Sequence, residues 1–329
     1  MSKFQTLSTE LVTEAVEAAY TKFADDNSGK CADYIPYLAN VDPSLFGISV
    51  CMTNGEVINI GDSGFIFGIE SISKVCTALL AMNQHSAETI LQKIGADATG
   101  LPFNSIMAIL LEQEHPSTPL VNAGAISACS MISPTGDLEL KWQAITNFMQ
   151  SLTSSKLSLI EELYKSESET NFNNKSIAWL LKNYDRIYDD PDMSLDIYTR
   201  QCSMGISAQQ LAIMGGTIAH SGVNPLSREQ VFKPSLTTHI VSMMATVGLY
   251  ERSGDWMFTT GLPAKSGVGG GILGVIPGIM GIAAFSPRLD ESGNSVRAQR
   301  ALSYISDRLN LNVYSPYRCT VHQHEYVYV

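Results

Sequence analysis

Gly267-Val268-Gly269-Gly270-Gly271-Ile272-Leu273-Gly274-Val275-Ile276-Pro277-Gly278-Ile279-Met280-Gly281-Ile282-Ala283-Ala284-Phe285 runs for 19 residues without a charge, a length that makes a membrane span the first reading to weigh. The abundant glycine and the central Pro277-Gly278 pair argue instead for two short buried strands around a tight turn. Earlier in the chain, Phe46 to Met52 and Val57 to Ile60 are rich in β-formers. They flank Asn54-Gly55, a pair that tolerates the positive φ angles of a two-residue type I′ hairpin. Trp256 to Thr260 reads as a further strand.

Around these strands the pattern is helical. Leu11, Ala15, Val16, Ala19 and Phe23 recur at helical spacing behind Ser8-Thr9-Glu10, so the chain opens on an amphipathic helix. Asn294 or Ser295 caps a closing helix with Val296, Ala301, Leu302, Ile305 and Leu309 on one face. Residues 84 to 245 carry helical patterns broken by loops, notably at Ser166 to Lys175 and at Tyr188-Asp189-Asp190-Pro191. The order α, β-β, many α, β-β-β, α predicts an α+β fold: an antiparallel sheet flanked by the terminal helices on one side and by a large helical insert on the other. The expected organisation is a single domain of 329 residues, with a sheet subdomain at about 1–70 and 246–310, a helical subdomain at about 71–245, and a C-terminal tail at 311–329.

Composition narrows the function classes. With 45% hydrophobic and 16% charged residues, the chain can bury a large core without disulfides. A net charge of −11 with scattered basic residues repels nucleic acid and anionic membranes over most of the surface. The six cysteines (Cys31, Cys51, Cys76, Cys129, Cys202, Cys319) form no C-x-x-C pair and read as reduced, packed thiols. His322-Gln323-His324 has no evident third ligand, so no metal site is expected. The first residues lack an apolar run with a small-residue cleavage site, and the cytoplasm is the expected location.

The chemistry begins at Ser71-Ile72-Ser73-Lys74. A Ser-x-x-Lys spacing puts hydroxyl and amine on one face of a helix, with Cβ atoms roughly 5–6 Å apart. The motif is short enough to arise by chance, and a surface lysine near a capping serine is the alternative. Its place decides between them, because it opens an apolar helix just after a hairpin and a glycine-bearing loop. There a nucleophile faces a cleft while dry walls keep its base neutral. Lys265-Ser266-Gly267 resembles the Lys-Thr-Gly element of serine β-lactamases and penicillin-binding proteins, and Lys265 is expected to supply a second cation that lowers the affinity of Lys74 for its proton. The N–H groups of Ser71 and of Val268 are candidate oxyanion donors. No Ser-x-Asn element lies between the two motifs, as a penicillin-recognising enzyme requires; Ser292-Gly293-Asn294 comes after Lys265 and reads as a turn and helix cap.

Several further segments carry a more specific resemblance: Tyr34-Ile35-Pro36-Tyr37-Leu38-Ala39, Gly61-Asp62, Val121-Asn122-Ala123-Gly124-Ala125-Ile126, Ser166-Glu167, Gln201-Cys202-Ser203, Gly261-Leu262-Pro263-Ala264-Lys265-Ser266-Gly267-Val268, and Ser286-Pro287 with Leu289-Asp290 and Gly293-Asn294-Ser295. Together with Ser71-Ile72-Ser73-Lys74, and in this order, they resemble bacterial-type glutaminases over roughly residues 15 to 310. The resemblance implies a serine β-lactamase-like fold and hydrolysis of L-glutamine to L-glutamate and ammonia. It makes Ser71 the nucleophile and Lys74 its base, with Tyr34 and Tyr250 as proton relays. Substrate contacts fall on Ser71, Asn122, Glu167, Asn174, Tyr198, Tyr250 and Val268. It also implies a homodimer or homotetramer and calls for no cofactor, since the chain supplies nucleophile, base and oxyanion donors.

Each contact has a plainer reading. Glu167 lies in Ser166-Glu167-Ser168-Glu169, which alone looks like a solvated charge cluster, and Asn122 fits a buried amide bonded to backbone. Tyr198 and Tyr250 fit core or rim aromatics. Glu70 departs from the family, which usually has Gln before the nucleophile. The rival functions are a serine esterase or β-lactam-recognising protein of the same fold, and a non-catalytic ligand-binding protein. Against the last stands the joint presence of Ser71, Lys74, Lys265 and both tyrosines.

Overall fold

The computed structural model describes residues 4–111, 115–315 and 318–321. Its strands are β1 (Phe4–Leu7), β2 (Gly47–Met52), β3 (Val57–Gly61), β4 (Phe67–Gly68), β5 (Gly205–Ile206), β6 (Ala264–Ser266), β7 (Gly271–Ile276), β8 (Met280–Phe285) and β9 (Arg318–Val321). The main sheet has the order β3-β2-β8-β7-β6 and every pairing in it is antiparallel. All six residues of each of β2, β7 and β8 are buried, which explains the continuous apolar run: both faces of the central strands are covered. The helices Thr9–Phe23 and Val296–Leu309 cover one face, and the helix Ala208–Ala219 lies across the other. No helix among the described residues is long and apolar enough to cross a membrane.

The two faces of the sheet have separate cores. One joins Val12, Ala15, Val16 and Ala19 to Leu302, Ile305 and Leu309 over the sheet. The other joins Val75, Leu79, Ile126, Met149, Leu211 and Met214 among the helices of the middle segment. A buried ion pair ties that segment together: Lys141 Nζ donates to Asp189 Oδ2 at 2.5 Å and to the carbonyls of Cys129 and Ser130 at 3.3 and 3.2 Å. Those two carbonyls lie at the end of the helix Asn122–Met131. Lys141→Ala leaves Asp189 buried and unpaired, and is expected to lower the unfolding free energy by about 3 kcal/mol or more in urea titrations at neutral pH.

The structure corrects four local expectations. The loop after β2 is a three-residue turn: Gly55 N–H donates to Met52 O and Met52 N–H to Glu56 O, with positive φ at Gly55 but not at Asn54. This is a type I turn with a bulge in place of type I′. Trp256 to Thr260 belongs to the helix Ser253–Thr259. A single buried anchor suffices there: the Trp256 indole donates to Leu262 O at 2.7 Å, whereas Phe258 is 89% exposed. Ser166 to Lys175 is helical on both sides of Asn171, in Glu161–Thr170 and Phe172–Asn183; its polar residues face solvent or a cleft. The chain also starts with β1, which pairs in parallel with β9 in the tail, so part of 311–329 forms a sheet edge. His322-Gln323-His324 lies outside the described residues. Cys31, Cys51, Cys76, Cys129 and Cys202 are free thiols.

Candidate active site

The approach to Ser71 is a backbone kink. Glu70 has φ 51°, a left-handed conformation that side-chain-bearing residues seldom adopt. A 3-10 turn, Glu70–Ile72, then runs into the helix Ser73–His85. The Ser73 hydroxyl donates to Glu70 O at 2.6 Å, and Ile69 N–H donates to Met204 O at 2.9 Å. Ser71 therefore stands where the first N–H groups of a helix lack intrahelical acceptors, lining a cleft of about 410 Å³. Tyr250 is a near neighbour of its hydroxyl and donates to Ser266 O at 3.5 Å.

Lys74 is fully buried beneath that cleft. Its amine donates to Asn122 Oδ1 at 2.6 Å, Tyr198 OH donates to the same oxygen at 3.0 Å, and Asn122 Nδ2 donates to Asn174 Oδ1 at 2.8 Å. The rings of Phe103 and Tyr198 flank the amine at 5.6 and 5.8 Å. Burial brings the Lys74 pKa down to about 8, against the upward pull of Cys202, Glu70, Cys129 and Glu167. An appreciable fraction is thus uncharged near neutral pH, the state able to accept a proton. Asn122 is more than a ligand contact here, because it fixes the base.

Lys265 lies on the edge strand β6 and is fully buried. Its amine donates to Gly248 O at 3.0 Å and Ser266 O at 2.7 Å, and sits 4.4 Å from the centre of the Tyr250 ring. Burial and the neighbouring Lys74 push Lys265 well below the usual lysine range, and its contact with the ring makes it a support for Tyr250.

The turn after β6 presses on the segment before Ser71. A Cβ on Gly269 would meet Gly68 O at 2.2 Å and Glu70 Cγ at 3.2 Å, so only glycine permits this approach. Within the turn, Gly267 N–H bonds to Gly271 O and Gly270 N–H to Gly267 O, while Val268 lines the cleft beside Ser71.

Glu167 projects into the same cleft from the helix Glu161–Thr170, and the carboxyl oxygens of Glu70 and Glu167 lie with Cys202 Sγ in one group within 4.8 Å. Burial raises Glu167 to about 7 and pushes the Cys202 thiol well up, so Cys202 is a protonated thiol and a poor nucleophile. Tyr34 is at the rim, 59% exposed, with its hydroxyl pKa raised by burial and by Glu70, Glu167 and Asp33. Every site residue singled out from sequence thus borders this cleft or supports a residue that does. The sequence reading did not single out Phe103, which packs on Tyr250 at 4.4 Å between ring centres, or Asn104, Asn171 and Asn173, which also line the cleft; no local pattern marks them.

The Glutaminase family model matches residues 29–314 of the chain. A glutaminase of Bacteroides fragilis is 61% identical over 315 residues, 96% of this chain and 98% of that protein. A glutaminase of Bacteroides thetaiotaomicron is 63% identical over 302 residues, covering 92% and 94%. Among solved structures, a probable glutaminase superposes with a TM-score of 0.92 at 47% identity over 94% of this chain and 99% of that one. A probable glutaminase of Bacillus subtilis superposes at 0.83 and 29% identity over 92% and 96%.

Proposed function

The chain belongs to the glutaminase family, with its β-lactamase-like fold, and from that membership we propose how it carries out hydrolysis of L-glutamine to L-glutamate and ammonia. Ser71 Oγ attacks the side-chain amide carbon while uncharged Lys74 accepts the hydroxyl proton. The developing oxyanion is held by the N–H groups of Ser71 and Val268, an arrangement that typically contributes about 10² to 10³ in rate. The proton then passes to the leaving nitrogen through Tyr250, ammonia departs, and water hydrolyses the γ-glutamyl ester on Ser71 with Lys74 again as base. Tyr34 closes the outer side of the cleft and serves as a second relay, and Lys265 keeps Tyr250 in position. The observation that carries this reading is Lys74: an amine buried in a dry site, held by Asn122, with its pKa down to about 8.

Substrate recognition follows from charge. Glu167 receives the α-ammonium, and Asn122 and Asn174 offer amide N–H groups to the α-carboxylate beside Tyr198, whose own hydroxyl donates to Asn122. The two lobes of the single domain, about 1–70 with 246–310 and about 71–245, form opposite walls of the cleft. Five free cysteines fit a reducing cytoplasm, and the exposed apolar side chains of Met107, Leu110 and Leu111 fit assembly into a homodimer or homotetramer. Glu167→Gln removes the charge but keeps the shape, and its KM for glutamine is expected to rise tenfold or more, roughly what losing one charged hydrogen bond entails, with kcat nearly kept. Steady-state ammonia release checks this. An unaltered KM would remove Glu167 from the binding site.

A further inference from the structure

Glu70 is 4% exposed, and one of its carboxyl oxygens lies within 4.8 Å of one of Glu167. The turn at Gly267 and Gly269 packs against its Cβ and Cγ, so the side chain has little room to turn away. One oxygen of each carboxyl, Glu70 Oε1 and Glu167 Oε1, is buried without a protein partner. Lys74 is the cation whose charge acts on both carboxyls, and its amine donates to Asn122. Two carboxyls this close in a buried site disfavour double ionisation. A neutral carboxylic acid has nearly the shape of a glutamine amide and, like it, offers a hydrogen-bond donor.

We propose that Glu70 is a positioning residue for the substrate: as a neutral acid it donates a hydrogen bond to Glu167 and fixes the carboxylate that receives the α-ammonium of glutamine. This rests on the reading of Glu167 as the ammonium contact. The proton stays on Glu70 because Glu70 is the more deeply buried of the two, 4% exposed against a half-buried Glu167; burial and then the Glu167 charge raise Glu70 well above the carboxylate range. The other titratable groups facing Glu70 are Lys74 on the helix that follows its turn, Tyr198 and Cys202 on the helix Pro191–Cys202, Tyr34 and Tyr250. The thiol and the three phenols are all raised and neutral, so none competes for the role of anion.

The test is steady-state kinetics of Glu70→Ala, Glu70→Gln and Glu167→Gln with glutamine, from about pH 6 to about pH 9. Glu70→Ala is expected to raise KM roughly tenfold with kcat much less affected, the usual size of one lost hydrogen bond to a charge. The pH below which its KM climbs should also move upward, because Glu167 has lost its donor. Glu70→Gln should restore both the KM and the position of that limb, and a chelator should leave the unsubstituted protein unaffected. The proposal is overturned if Glu70→Gln is as impaired as Glu70→Ala, if Glu70→Ala keeps the parental KM, or if a chelator raises KM, which would put a metal ion between the carboxyls in place of the proton. Should Glu70→Ala fail to fold, as a thermal melt reveals, the Glu70→Gln profile alone decides. A parental KM in Glu167→Gln would instead sink the ammonium contact, which separates the two failures.

Discussion

Ser71→Ala is expected to lower kcat for L-glutamine by about ten-thousandfold or more while thermal stability stays near that of the parent, since loss of a nucleophile in comparable sites leaves only the catalysis that binding and oxyanion donors provide. The expectation follows from how little else in the cleft can attack an amide. Cys202 is the rival nucleophile, and burial with the neighbouring Glu167 and Glu70 keeps its thiol protonated. A water activated by Lys74 is the remaining route, and it forfeits the covalent intermediate. The Ala side chain removes only the hydroxyl beside Tyr250 and creates almost no cavity, so a destabilised variant would point to a structural role for Ser71. Ammonia release measured beside a thermal melt separates these outcomes.

Lys74→Ala is expected to reduce kcat by about a thousandfold, within the range for a lost general base, and to change the pH profile. In the parent, the base works only when uncharged. Protonation below about 8 therefore silences it, and kcat climbs as pH rises through that value. Protonation of Glu167 below about 7 weakens ammonium binding and raises KM on the same side. Both effects depress kcat/KM on acidification, but they separate when kcat and KM are followed individually. The variant should lose the limb near 8 in kcat and keep the limb near 7 in KM. Lys74→Arg should not rescue it, because a guanidinium stays protonated at any working pH. A variant that keeps the parental limb in kcat would mean that another group is the base.

The strand pairs, the terminal helices and the Ser-x-x-Lys turn could be read from the chain because each is a short-range pattern. The 267–285 run alternates glycine with apolar residues around Pro277-Gly278, and that punctuation is local. The helix at Trp256 was not legible, since its aromatic and threonine residues favour a strand locally and only the distant Leu262 carbonyl and the packing of the indole decide otherwise. β1 was missed for a related reason: its partner β9 is more than 300 residues away, beyond any local signal. In the site, the types of group were legible but the wiring was not. Lys74 and Lys265 were expected to meet as base and cation; both amines are fully buried and lowered, and how far desolvation lowers each is something no spacing encodes. Glu70 was visible only as a departure from a pattern, and its contact with Glu167 required the fold to bring two helices together.

The central claim is that Ser71 carries the acyl group, and the most direct measurement is covalent labelling with a glutamine analogue whose side-chain amide is replaced by a diazoketone. Peptide mapping by mass spectrometry should find one label per chain, on the peptide from Glu70 to Lys74 and on Ser71 itself, with loss of activity proportional to labelling and protection by glutamine. A label on Cys202 or another residue, with Ser71 unmodified in the inactivated protein, would contradict the account.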